Sequence, residues 1–138
     1  MGNAQVRPGS VVAAILLASL TLGVFAIQAN SGPENTVRRF HEGVLRNNPK
    51  EVVAFLVQPI EDYAPQVLVR RVQSLAQLGA RMDVTRIVRQ QNRAIVDVRY
   101  TLRNGQIITM LWVTQLDRGV WKVNAVDTLA IIEKMMAS

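Results

Sequence analysis

The sequence contains no cysteine among its 138 residues. That excludes disulfides, thiol catalysis, cysteine-ligated zinc and attachment of a lipid through a lipobox cysteine. Histidine occurs once, at position 41. With no second histidine and no cluster of acids beside it, neither a metal site nor a cofactor is expected. Aromatic residues make up only 5% of the chain, so aliphatic side chains must fill whatever core forms. Charge is missing altogether between Arg7 and Glu34.

Within that uncharged gap, Val11 to Ile27 is apolar apart from Ser19, Thr21 and Gly23. A helix rises about 1.5 Å per residue, so Ser10 to Ala29 would span roughly 30 Å, one hydrocarbon core. The stretch has no polar face, which excludes an amphipathic surface helix. Two readings remain. An uncleaved anchor is favoured, because the run exceeds the usual signal core of about 7–15 residues. A cleaved signal peptide would end at Ala29, but Ile27 sits where a small residue is wanted. Residues 1–30 are therefore read as a signal peptide or transmembrane anchor. Residues 31–138 are read as one domain outside the cytoplasm, periplasmic or on the cell surface, or secreted if the leader is removed. Arg38, Arg39 and Arg46 follow the segment while only Arg7 precedes it, and a strict positive-inside count would place the domain in the cytoplasm. The likeness of the leader to exported ones is given more weight. Myristoylation at Gly2 is excluded, because Val6 stands where Ser or Thr is required.

What is present is a globular composition, 49% hydrophobic, with a net charge of +6. The basic residues are mostly arginines spread from Arg38 to Arg118, not gathered on one helix or face as in a nucleic-acid reader. Nucleic acid is not an expected partner. Contact with anionic lipid heads beside the anchor is.

From Ser31 the periodicity is helical. Ser31-Gly32-Pro33-Glu34 reads as a capped start, and Val37, Phe40, Val44 and Leu45 share a face before Asn47-Asn48-Pro49 stops the helix. Asn48 opens a second helix with Glu51 three residues on, ended by Pro59. A third covers Ala64 to Leu78, with Leu68, Val72, Leu75 and Ala76 on one face and Gly79 as its left-handed cap. After Gly79 the period becomes two. Met82 to Gln90 is a weak strand, and Arg93 to Arg103 alternates clearly. Asn104-Gly105 predicts a two-residue type I′ hairpin, Gln106 to Leu116 a central strand, Asp117 to Gly119 a three-residue turn and Val120 to Val126 a last strand. Asp127 is read as the cap of a closing helix over Leu129 to Met136. These turns pair Tyr100 with Thr109, Val98 with Leu111 and Val96 with Val113, which leaves Ile108, Met110 and Trp112 on the face away from the helices.

Helices first, then a meander of long strands closing on Gly119-Val120-Trp121-Lys122-Val123, resembles the nuclear transport factor 2-like (cystatin-like, SnoaL-like) superfamily. The opening helix is also similar to that of small exported bacterial domains of this type. The resemblance covers residues 33–127 and implies an α+β fold, with the N-terminal helices packed on a curved antiparallel sheet that forms a cone. It implies either of two functions. Some members are isomerases, cyclases, dehydratases or epoxide hydrolases that work inside the cone. Others are non-catalytic, such as inner-membrane scaffolds of type IV secretion systems that join one membrane helix to this fold. Isomerase-type members use a tyrosine of the first helix, where this chain has Phe40, so catalytic roles do not carry over and no catalytic residue is assigned.

Three residues form the candidate ligand-binding set, Tyr100, Thr109 and Gln115, expected on the helix-facing side of the sheet. Ile108, Met110 and Trp112 form the candidate interaction face, since a solvated surface does not usually carry such large apolar residues. The closing helix is the alternative cover for that face. His41 is read as a boundary residue, Asp97 as an ion-pair partner, and Glu61-Asp62-Tyr63 as loop and cap, with Tyr63 a candidate pocket edge. The function expected is a non-enzymatic, membrane-tethered interaction or scaffold domain, self-associating as a homodimer through the outer sheet face or capturing a membrane-protein partner. The alternative is small-molecule binding, or a lyase or isomerase activity, in the cone.

Overall fold

The computed structural model describes residues 32–60 and 63–137. The apolar leader, Ser31 and the Glu61-Asp62 pair lie outside the described residues. Among the described residues, no helix is long and apolar enough to cross a membrane.

Helix α1 covers Pro33–Leu45, with proline at its first turn and Gly32, in an extended conformation, as its N-cap. Gly32 gives no side-chain cap, so the capping role expected of Ser31 falls one residue later. Val37, Phe40 and Val44 form the buried face, and Asn47 closes the helix in the left-handed region at φ 53°. Asn48 caps α2 (Pro49–Ala54) by accepting the Glu51 amide at 3.3 Å, as the sequence predicts. Gly43 lets α2 approach α1, since a Cβ there would lie 3.2 Å from Val52. Helix α3 (Tyr63–Gln77) buries Leu68, Val72 and Leu75.

Four antiparallel strands follow in simple meander order: β1 (Arg81–Gln90), β2 (Arg93–Thr101), β3 (Ile107–Asp117) and β4 (Val120–Val123). The sheet is curved, and the register shifts between Val84 and Arg86 in β1, a bulge of the kind that sharpens a bend. The architecture is α+β, as expected. The chain after α2 returns along the free edge of β4, where Val57 donates to the Val123 carbonyl at 3.0 Å and Val123 to that of Phe55 at 2.7 Å.

Both hairpins differ from expectation, each by one residue. Leu102 donates to the Gln106 carbonyl at 2.8 Å and Gly105 to that of Leu102 at 2.9 Å. This is a three-residue loop, Arg103-Asn104-Gly105, in which only Gly105 has positive φ (89°). A three-residue loop of this kind is a turn followed by a left-handed glycine, not the type I′ turn that Asn-Gly usually signals. The second hairpin is the tighter one. Asp117 pairs with Val120, and Arg118 and Gly119 both take positive φ (53° and 81°), the pattern of a two-residue type I′ turn.

The consequence of the first difference is large, because a slip of one residue turns every side chain of a strand over. Tyr100 pairs with Ile108, Val98 with Met110 and Val96 with Trp112. Ile108, Met110 and Trp112 therefore face the helices. Trp112 is fully buried and Met110 nearly so. Their assignment to an outer interaction face is corrected. The side chains that face outward on β3 are Ile107, Thr109, Leu111, Val113 and Gln115.

Strand β4 is shorter than predicted because Asn124 ends it. Its Oδ1 accepts the Asp127 amide at 3.0 Å while its Nδ2 donates to the Asp127 carboxylate at 3.1 Å. This reciprocal cap opens α4 (Ala125–Ala137), so the cap is Asn124 and not Asp127. Asp127 also pairs with Arg93 at 2.6 Å. Helix α4 runs beside the part of β3 that β4 leaves unpaired. There Asn124 donates to the Val113 carbonyl at 2.8 Å, and the Thr128 hydroxyl accepts the Val113 amide at 2.9 Å. A free strand edge is thereby covered. Leu129 and Ile132 join the core on one side, while Ile131 lies with Val113 and Ile95 on the other.

Candidate functional site

The centre of the fold is polar as well as aromatic. Phe40 and His41 come from α1, Tyr100 from β2 and Trp112 from β3. The ring centroids of His41 and Trp112 are 4.8 Å apart, those of Phe40 and Trp112 5.4 Å. The hydrogen bonds fix the protons. His41 Nδ1 lies 2.7 Å from the Val37 carbonyl, which can only accept, so Nδ1 carries the proton. Nε2 is then an acceptor and takes the Tyr100 hydroxyl proton at 2.7 Å. The Tyr100 oxygen in turn accepts the Trp112 Nε1 proton at 3.0 Å. Every polar atom of the cluster has its partner inside the cluster or on α1.

Burial reinforces this arrangement. It lowers the His41 imidazole from 6.5 to about 4, against a smaller opposing effect of the Val37 carbonyl. It pushes the Tyr100 phenol well above its usual range, with the Trp112 hydrogen bond acting in the opposite direction. A protonated His41 would aim a second donor at a hydroxyl whose own proton would then lack an acceptor. The neutral imidazole is the form that fits. His41 is only 5% exposed, so its reading as a boundary residue is corrected. A helix-face argument missed it because Phe40 alone seemed to claim the inward direction.

Tyr100, Thr109 and Gln115 are not brought together. Tyr100 points inward and is 2% exposed, Thr109 is exposed on the opposite face, and Gln115 on that same outer face accepts from Asn124 at 3.1 Å. The even–odd separation of Tyr100's partner Ile108 from Thr109 is the register difference again. Asp97 lies outward on β2 opposite Arg86, and Tyr63, 67% exposed, begins α3. Among the described residues, no group of three His, Asp or Glu side chains could hold a metal.

Several surfaces could bind something. The outer sheet face carries Val88, Ile95, Leu111 and Val113 as an apolar centre, with Ile107 exposed at one end. Around this centre Asp83, Arg86, Asp97 and Arg99 alternate in sign. Helix α4 reaches this face through Ile131, which lies with Val113, Ile95 and Val88. On the helix side, two clefts flank α3. One, of about 420 Å³, lies between α1, α2 and α3 and is walled by Val44, Val52, Leu56 and Val69. The other, of about 400 Å³, lies between α3 and β3, walled by Val67, Leu75 and Met110, with Arg70, Arg71 and Ser74 along one side. Nothing in the helical periodicity singled out these arginines.

No protein-family model and no curated protein matches the sequence. Solved structures do. The chain is similar to a protein of Campylobacter jejuni described as an NTF2-like transpeptidase, with a TM-score of 0.50 and 11% identity over 68% of this chain and 98% of that one. It is also similar to an NTF2-like protein of Burkholderia pseudomallei (TM-score 0.36, 18% identity, 73% of this chain and 95% of that one). A third is described as a calcium/calmodulin dependent protein kinase II association domain from Xanthomonas campestris (TM-score 0.34, 11% identity, 67% and 83%). The first of these, matched along nearly its whole length, identifies the fold.

Proposed function

On a nuclear transport factor 2-like fold of this kind, we propose that the chain is a non-enzymatic interaction domain. In this reading the apolar segment Val11 to Ile27 tethers it to a membrane, the domain sits outside the cytoplasm, and its outer sheet face pairs with a second copy of itself. One observation carries the reading: the two central strands hold a half-buried apolar centre on the outer face, at Ile95 and Leu111, while the centre of the fold, between the sheet and α1, is occupied by a self-satisfied His41–Tyr100–Trp112 cluster. Apolar residues inside a polar rim are the anatomy of a protein contact. The alternating signs of Asp83, Arg86, Asp97 and Arg99 favour a second copy as the occupant, because a face that holds both signs can complement itself about a two-fold axis. The alternative, a ligand site in the cone built on Tyr100, Thr109 and Gln115, loses support because those side chains lie on opposite faces of the sheet.

The test is the association of the full chain in detergent, followed by sedimentation or by energy transfer between labels. The absence of cysteine allows a single introduced Lys134→Cys to carry the label. Leu111→Arg puts a charge at the centre of the proposed contact and weakens association at least tenfold, a loss of about 1.4 kcal/mol or more. Near-ultraviolet circular dichroism of the buried Trp112 and Trp121 checks that the fold is kept. A chain that stays monomeric at every concentration, or a Leu111→Arg variant that associates as tightly as its parent, refutes the proposal.

A further inference from the structure

Among the described residues, the cleft between α3 and β3 contains a cation without an anion. Arg71 Nη2 donates to the Met136 thioether at 3.2 Å, and Arg71 Nε is buried without any hydrogen-bond partner. No carboxylate of the described residues pairs with Arg70 or Arg71, although five ion pairs occupy other arginines and lysines. A thioether is a weak acceptor, and an unpaired buried donor costs about 1–3 kcal/mol, more when it is charged. The guanidinium edge left under-used is the one formed by Nε and Nη2. That edge presents two parallel N–H bonds at the spacing of the two oxygens of a carboxylate.

The rest of the cleft is apolar. Val67 and Leu75 of α3 face Met110 and Ile108 of β3, and Leu78, 54% exposed, stands at one end. A volume of about 400 Å³ lies at the small end of the range for ligand sites. Met136 sits in the last turn of α4 and is 70% exposed. An unbranched thioether in such a position swings aside readily. Cationic head, apolar wall and modest volume together select an anion with one apolar tail.

We infer that this cleft binds a medium-chain fatty-acid carboxylate, its head on the Nε/Nη2 edge of Arg71 beside Arg70 and Ser74, and its tail along Val67, Leu75 and Met110. Binding moves the Met136 sulfur off Nη2 and replaces one weak contact with two charge-assisted hydrogen bonds. Arg70 also borders the neighbouring cleft of α1 and α2. The outer sheet face takes no part, so Leu111→Arg leaves this binding unaltered.

The experiment uses the full chain in nanodiscs of zwitterionic lipid, with empty nanodiscs as the blank and sodium decanoate as the probe. Decanoate binds by calorimetry and raises the melting temperature, whereas decan-1-ol, with the same tail and no charge, does neither. Arg71→Met weakens decanoate binding at least tenfold. The same change removes the orphaned donor, so the unliganded variant melts at or above the wild-type temperature. A residue held only for structure would give the opposite sign. Arg71→Lys keeps the charge without the two-pronged edge and falls between the two. Equal binding of decanoate and decan-1-ol overturns the inference, as does unchanged decanoate binding by Arg71→Met. Arg71-dependent capture of phosphatidylglycerol vesicles by a chain indifferent to decanoate overturns it as well.

Discussion

The buried imidazole of His41 makes the stability of this domain depend on pH in a definite direction. In the unfolded chain the imidazole titrates near 6.5, and in the folded one near 4. A lowered histidine value means that the unfolded state binds the proton more readily, so the stabilisation is complete above pH 6.5 and is lost as pH falls toward 4. At about 1.36 kcal/mol per pH unit, this single group removes about 2 kcal/mol by pH 5 and about 3 kcal/mol below pH 4. That is a large share of the roughly 5–15 kcal/mol that holds a domain together. Denaturant unfolding of wild type and His41→Gln, from pH 8 to pH 3.5, isolates the effect. Glutamine can still accept the Tyr100 proton but does not titrate, and the difference between the two curves cancels the contribution of every other acid and base. The wild type should be the more stable chain at pH 7.5, with the gap closing by about 2 kcal/mol at pH 5. Because His41 is the only histidine, its nitrogen resonances need no assignment, and they should report a neutral ring with the proton on Nδ1. Parallel pH dependences for the two chains, or a folded imidazole titrating near 6.5, would show that the His41–Tyr100–Trp112 arrangement is wrong.

Two further substitutions test how the sheet is held. Thr128→Val leaves the Val113 amide, on a residue only 1% exposed, without its acceptor, and should cost about 1–3 kcal/mol by thermal or denaturant unfolding. Arg118→Asn should instead stabilise the chain by on the order of 0.5–1 kcal/mol, since Arg118 holds φ 53° in a type I′ turn where asparagine is the easier occupant. An unchanged or lower melting temperature for Arg118→Asn would count against the assignment of that turn.

Much of the architecture can be read directly from the residues. The recurrence of Val37, Phe40 and Val44, the Asn48 cap, Gly79 after α3 and the alternation through Ala94, Val96, Val98 and Tyr100 are local signals, each sufficient to place its own element. The candidate site was far less legible. Whether Asn104-Gly105 makes a two- or a three-residue loop changes little locally, yet it determines whether Trp112 or Val113 lies opposite Val96. Side-chain size offered a clue: Ile108, Met110 and Trp112 are bulkier than Thr109, Leu111 and Val113, and the larger set fills the interior between sheet and helices.

The sequence by itself determined the order and nature of the elements, because helical and strand periodicity and turn chemistry act over a few residues. Only the tertiary structure decided which side of β3 is the inside, which residue caps α4, and that His41 meets Tyr100 and Trp112. Those outcomes depend on contacts between residues distant in the chain, such as His41 and Trp112, 71 positions apart. The packing of α1 into the curve of the sheet selects among turns whose local energies are close.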